Sequence, residues 1–232
     1  VTAIIRHPWK TKFQGKLSLD SLSDPNSAGE ESRVVFGPGI TSSSVTLTTT
    51  FGQVVVRPGA TSDGLTIGVN GSDVLGPRAV DRFEFSDGTL ITYAELVARG
   101  FDIDGTEFDD FLSGTNVADR FRGGLGNDRS EGGEGNDSYF FNLGDGVDTI
   151  VDVASAGAGN EVVFGAGITS ADLSIDLAPD QSDSSLRDLL IRVGANGDAI
   201  QLDTFDRNNV LGPQAVDTFR FADGSTLTYD QL

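Results

Sequence analysis

Four aspartates in the middle of the chain, Asp110, Asp119, Asp128 and Asp137, stand nine residues apart, and Asp148 follows after a two-residue slip. The segments around them read GTEFDDFLS (105–113), GTNVADRFR (114–122), GGLGNDRSE (123–131), GGEGNDSYF (132–140) and LGDGVDTIV (143–151). Two of these carry glycine at the first, second and fourth positions. Glycine permits positive φ, so a tight turn can aim several peptide carbonyls at one point. The aspartate adds a charged, hard oxygen. Calcium takes about six to eight oxygens at about 2.3–2.6 Å and accepts mixed carbonyl and carboxylate shells. Two residues past each aspartate stand Leu112, Phe121, Ser130, Tyr139 and Ile150, the inward residue of a short strand. Turn plus strand then makes one unit, and two units make one coil of a right-handed solenoid. Ions would sit between units one coil apart, which pairs Asp110 with Asp128, Asp119 with Asp137, and Asp128 with Asp148.

The rest of the composition agrees with a need for cations. The chain has 232 residues and a net charge of -19, from 35 acidic and 16 basic side chains. Such a chain does not hold nucleic acid through its phosphates, and anionic membrane surfaces repel it. It has no Cys, so neither disulfides nor thiol chemistry brace it, and metal is the remaining staple for an extracellular protein. No apolar run reaches membrane-spanning length. With no Met, even at position 1, the chain is expected to be a processed product or part of something longer. His7, the single histidine, cannot build a multi-histidine zinc site, and Trp9 reads as a local apolar plug. Asp109–Asp110 and Glu30–Glu31 are neighbours in sequence. As strand residues they face opposite ways, which does not suit glycosidase chemistry.

The elements that position the aspartates are repeated too. ESRVVFGPGITSSSVTL (31–47) matches GNEVVFGAGITSADLSI (159–175), and VLGPRAVDRFEFSDGTLITYAEL (74–96) matches VLGPQAVDTFRFADGSTLTYDQL (210–232). The chain thus carries two copies of one module. Alternation of apolar and polar residues predicts strands. Asp87-Gly88 and Asp223-Gly224 predict hairpin turns. Thr92 with Glu95 and Thr228 with Gln231 predict capped helical turns. The domains expected are an atypical segment at 1–29, a first β-rich module at 30–100, a solenoid at 101–152 and a second β-rich module at 153–232. The fold class is all-β: a short right-handed parallel β-roll flanked by two homologous modules.

The GGxGxD repeat resembles the calcium repeat of the RTX (repeats-in-toxin) family. The VVFGxGITS opening and FxFxDGtxlTyxxL close are similar to the haemolysin-type calcium-binding-related domain that accompanies such rolls. The resemblance implies Asp128 and Asp137 as carboxylate ligands, Gly124, Gly126, Gly133 and Gly135 as carbonyl donors, and Asp110, Asp119 and Asp148 as further ligands. About three calcium ions are expected for such mixed-oxygen sites. Phe108 and Val117 replace the fourth-position glycine, so the first two turns are expected to be strained or ion-free. Ser130 thins the interior of its coil.

The resemblance further implies a secreted or surface-exposed, calcium-binding, non-enzymatic segment, structural or adhesive, that leaves through a type I secretion channel and folds on calcium outside. The leading VTAII strand suggests sheet-edge addition between copies, and hence end-to-end assembly into a filament. The second reading is the calcium-binding C-terminal region of a secreted enzyme or toxin whose catalytic domain lies elsewhere. The partners expected are calcium and, under the first reading, other copies or surface proteins. No platform for carbohydrate stands out.

Overall fold

The computed structural model describes residues 2–7, 10–16, 20–22, 32–50, 53–59, 64–69, 73–76, 80–152, 159–179, 187–203, 205, 208–209 and 214–232, with the backbone alone before residue 32. Trp9, the side chain of His7 and all other side chains of the atypical segment at 1–29 lie outside the described residues. The chain forms two compact units, Val1–Asp102 and Ile103–Leu232.

The first unit contains β1 (Thr2–His7), β2 (Lys10–Lys16), β3 (Asp20–Leu22), β4 (Arg33–Phe36), β5 (Val45–Thr50), β6 (Gln53–Pro58), β7 (Leu65–Ile67), β8 (Arg82–Glu84) and β9 (Leu90–Thr92), then helix α1 (Tyr93–Val97). Two sheets run β2-β1-β4-β8-β9 and β3-β7-β6-β5. Val34, Phe36, Val54, Val56, Leu65, Ile67 and Phe83 are buried, as inward residues of half-buried strands should be, and Tyr93 of α1 is buried with them. Thr92 caps α1 as its sequence predicts. Its hydroxyl accepts from Glu95 N–H at 3.1 Å while Glu95 accepts from Thr92 N–H at 2.7 Å.

The second unit begins inside β10 (Phe101–Asp104) and continues with β11 (Phe111–Ser113), β12 (Asp119–Arg122), β13 (Arg129–Glu131), β14 (Ser138–Phe141) and β15 (Val147–Val151). These strands stack alternately into two parallel sheets. Phe111 pairs with Arg129, and Arg120 with Ser138, each eighteen residues on. Leu112, Phe121, Ser130, Tyr139 and Ile150 are all buried between the sheets, and Phe121 stacks on Tyr139 at 5.1 Å. A small cavity lies beside Ser130, lined by Phe121, Tyr139, Phe141 and Ile150. It is the thin interior expected where serine replaces a large apolar residue.

The same sheets run on into the second module without a break. β16 (Glu161–Phe164), β17 (Leu173–Pro179), β18 (Arg187–Val193), β19 (Asp198–Leu202), β20 (Thr218–Arg220) and β21 (Thr226–Thr228) complete the orders β10-β12-β14-β16-β20-β21 and β11-β13-β15-β19-β18-β17. β16 and β19 add in parallel to β14 and β15, and antiparallel hairpins finish both sheets. The two-residue slip before Asp148 appears as a register of twenty between Arg129 and Thr149.

The module copies correspond strand for strand, β4 to β9 with β16 to β21. The rings of Phe36 and Phe85 lie 5.0 Å apart, and those of Phe164 and Phe221 5.2 Å. The copies differ in what covers their leading edges. In the second, β14 and β15 of the roll do so. In the first, β1 pairs antiparallel with β4 and β3 pairs in parallel with β7. The VTAII strand therefore pairs within its own chain, on the edge that a roll coil occupies in the other copy.

One outward ion pair is reversed between the copies: Arg33–Glu84 at 3.0 Å in the first, Glu161–Arg220 at 2.7 Å in the second. Arg220→Glu should cost about 0.5–1 kcal/mol by opposing like charges across neighbouring strands. Adding Glu161→Arg should restore the wild-type melting temperature in saturating calcium. A double variant no more stable than the single one would show that the pair is not coupled.

Candidate metal centre

The parallel coils bring the spaced aspartates into two columns. Asp110, Asp128 and Asp148 form one. The backbone N–H of Asp110 donates to Asp128 Oδ1 at 2.8 Å, and that of Asp128 to Asp148 Oδ1 at 3.1 Å. Asp119, Asp137 and Asn160 form the other, through Asp119 N–H to Asp137 Oδ1 and Asp137 N–H to Asn160 Oδ1, both at 2.8 Å. The three pairs read from the spacing are thus brought together. The fourth step, Asp137 over Asn160, was hidden in the sequence because it spans twenty-three residues and ends on a neutral amide.

The turns fall into two chemical kinds. In the first two, the second position is threonine. Thr106 donates to Asp110 Oδ2 from its N–H at 2.6 Å and its hydroxyl at 2.8 Å. Thr115 does the same to Asp119 Oδ2, at 2.6 and 3.1 Å. A threonine latch therefore supplies the carboxylate with donors of the protein's own. In the two Gly-Gly turns no such latch exists. Oδ2 of Asp128 and Oδ2 of Asp137 are buried with no hydrogen-bond partner, although Asp128 is only 2% and Asp137 0% exposed. Burying an ionised carboxylate without a partner is costly, and a hard cation is the group that removes the cost. Phe108 and Val117 mark the latched turns in the sequence, but the threonines two residues earlier are what close them.

Glycine is required in these turns for two separate reasons. Gly124, Gly126, Gly133 and Gly135, at the second and fourth positions, have φ of 104, 125, 98 and 140°, a region that side chains rarely adopt. At the first position φ is ordinary and space is the constraint. A methyl group on Gly123 would strike the Asp128 carboxylate, and one on Gly132 would strike Tyr139 and Asp152. Positive φ at all three positions was expected from the sequence; the first-position glycines are there to let neighbouring groups approach.

The electrostatics of the two columns favour a cation. Burial pushes Asp137 up to about 8, reinforced by the charges of Asp119 and Asp152. Burial likewise raises Asp148 to about 7, with Asp128, Asp145 and Asp198 adding to it. Asp128 moves in the same direction, again chiefly through burial. Asp145, Asp152 and Asp198 were not singled out from the sequence, because they lie off the nine-residue spacing. All three are buried. Asp145 Oδ2 accepts from Asn142 N–H at 2.7 Å, and Asp198 Oδ2 from Gly144 N–H at 2.9 Å. Among the described residues no three Asp, Glu, His or Cys side chains converge on one point. A cation here must complete its shell with peptide oxygens. That donor set suits calcium, which takes carbonyls readily, and not zinc, which prefers imidazole and thiolate.

The repeated Asp-Gly turns are structural. Gly88 and Gly224 have φ of 81 and 85°, and Asp87 and Asp223 accept from Thr89 and Ser225 N–H at 2.9 and 2.8 Å. The hydroxyls of Thr89 and Ser225 first, and then these N–H groups, hold both exposed carboxyls below the usual range.

Residues 188–231 match the model of the haemolysin-type calcium binding protein related domain. No curated protein matches the chain significantly. Among solved structures, the chain shows a likeness to the crystal structure of extracellular lipase LipA from Serratia marcescens, at 14% identity and a TM-score of 0.35. The likeness covers 85% of this chain and 32% of the lipase, so the chain spans about a third of that protein's length. No helix among the described residues is long and apolar enough to cross a membrane. The matched residues thus place a haemolysin-type calcium-binding-related domain within the second module, whose strands complete the parallel stack of coils in an all-β fold.

Proposed function

We propose that this chain is a calcium-dependent structural segment of an exported protein, with no active site of its own. Asp128 and Asp137 are the principal carboxylate ligands, and Gly124, Gly126, Gly133 and Gly135 supply carbonyl oxygens. Asp148, Asp110 and Asp119 join them, the last two more weakly because threonine already occupies them. About three ions per chain satisfy this arrangement. The observation that carries the reading is the pair of buried, partnerless Oδ2 atoms on Asp128 and Asp137.

Calcium binding then contributes directly to folding, since the unfolded chain has no site to offer. Extracellular calcium modules work at Kd of about 10⁻⁴–10⁻³ M. At cytosolic calcium the roll would stay open, and at extracellular calcium it would close. That difference suits passage through a secretion channel as an unfolded chain, followed by folding outside.

Calcium titration by calorimetry tests the assignment. Wild type should take up calcium with heat and gain β-structure by circular dichroism. Asp128→Asn and Asp137→Asn should each weaken uptake about tenfold or more, as expected when one charged ligand of a calcium shell is neutralised. Absence of uptake by wild type at millimolar calcium would refute the proposal.

A further inference from the structure

The column of Asp119 and Asp137 ends on Asn160, so the repeat loses a charge at the step where the roll meets the second module. A carboxylate is nevertheless present there, and it comes from elsewhere in the chain. β13 and β15 pair Glu131 with Val151, so Asp152 stands in the column of first-position glycines that Gly114 and Gly132 begin. Its carboxylate lies beneath Gly132, in the space left by the missing side chain, beside Tyr139 Oη and Asp137 Oδ2. Asp152 is 3% exposed. Tyr139 Oη donates to Asp152 Oδ2 at 2.5 Å, and Asn160 Nδ2 donates to the same oxygen at 2.8 Å. Asn160 Nδ2 also donates to the Ala215 carbonyl at 3.0 Å.

We infer that Asp137 and Asp152 together hold a divalent cation at the last step of the roll, a site outside the repeat in which the acid has moved from the sixth position of the turn to the first. Three observations meet here. Asp137 Oδ2 is fully buried, has no hydrogen-bond partner and faces the Asp152 side. The two carboxylates would carry two negative charges into a space closed to solvent, which is costly unless a cation joins them. The asparagine that replaces the expected ligand orients Asp152, and Tyr139 fixes it from the other side. Both are positioning residues. The ligand class is a hard divalent ion, calcium by the all-oxygen donors.

The inference rests on the calcium reading of the roll, and its test separates the two. Bound calcium is counted by equilibrium dialysis for wild type, Asp152→Asn and Tyr139→Phe. Wild type should bind one ion more than Asp152→Asn, and Tyr139→Phe should keep the wild-type count. An equal count for wild type and Asp152→Asn would mean that a shared proton joins the two carboxylates, and would overturn the inference alone. If Asp152→Asn does not fold, terbium-soaked crystals of wild type decide. An anomalous peak between Asp137 and Asp152 supports the site; peaks at the Gly-Gly turns with none there overturn it. No bound ion anywhere overturns both this site and the roll's.

Discussion

Removing calcium with chelator at about pH 8.5 should abolish the β-structure of the second unit, and acidifying the calcium-free protein to about pH 5 should restore part of it. The sign follows from the buried aspartates. Without metal, Asp137 and Asp148 have folded values of about 8 and about 7, well above the 3.8 of an unperturbed aspartate. Between 3.8 and those values the folded form binds more protons than the unfolded chain. The stability these groups contribute is therefore present at low pH and is lost as pH rises toward 8. The mismatch in proton affinity is roughly ten-thousandfold at Asp137 and roughly a thousandfold at Asp148, on the order of 4–6 kcal/mol each, comparable to the whole stability of a domain, about 5–15 kcal/mol. Calcium reverses the dependence, because it binds the ionised carboxylates and competes with protons. Its apparent affinity should fall as the solution is acidified. Far-UV circular dichroism against pH, with and without calcium, reads both slopes. A spectrum indifferent to chelator at alkaline pH would sink the argument.

Gly124→Ala and Gly133→Ala should each destabilise the calcium-loaded protein by about 3–5 kcal/mol, the sum of left-handed backbone strain and overpacking. Both have positive φ, and in both the added methyl would run into a carbonyl of the coil beside it, that of Thr106 or Thr115. Gly144→Ala is the control. Its φ is 92° but nothing lies within 4 Å of the added atom, so only the backbone term of about 1–2 kcal/mol applies. Urea unfolding in saturating calcium measures all three. Equal losses at the three sites would show that contact between coils adds nothing to the backbone requirement.

Much of this arrangement was legible before any coordinates. Fixed spacing states which residues share a column, because a parallel coil repeats its contacts at one interval. The two module copies were legible from VVFGxGITS and from the aspartate-glycine hairpins, whose chemistry is local. Three features were not legible, each for a physical reason. The continuation of the roll into β16 and β19 is hidden because the eighteen-residue interval grows to twenty-three between Ser138 and Glu161 and to fifty-two between Val147 and Ala199, where β17 and β18 intervene. The threonine latch involves a residue type that is common in turns, and its meaning appears only when its N–H and hydroxyl are seen on one carboxylate. Asp152 lies at a glycine position, and sequence cannot show that its side chain folds under Gly132.

Alternate strands of the roll belong to opposite sheets, and this constrains how such a chain can lengthen. Gain or loss of eighteen residues adds or removes a full turn of the stack, leaving every later strand in its sheet and the second module seated as before. Gain or loss of nine would send each later strand to the opposite wall and invert the module's approach. Natural length variants of this segment should therefore differ by whole coils.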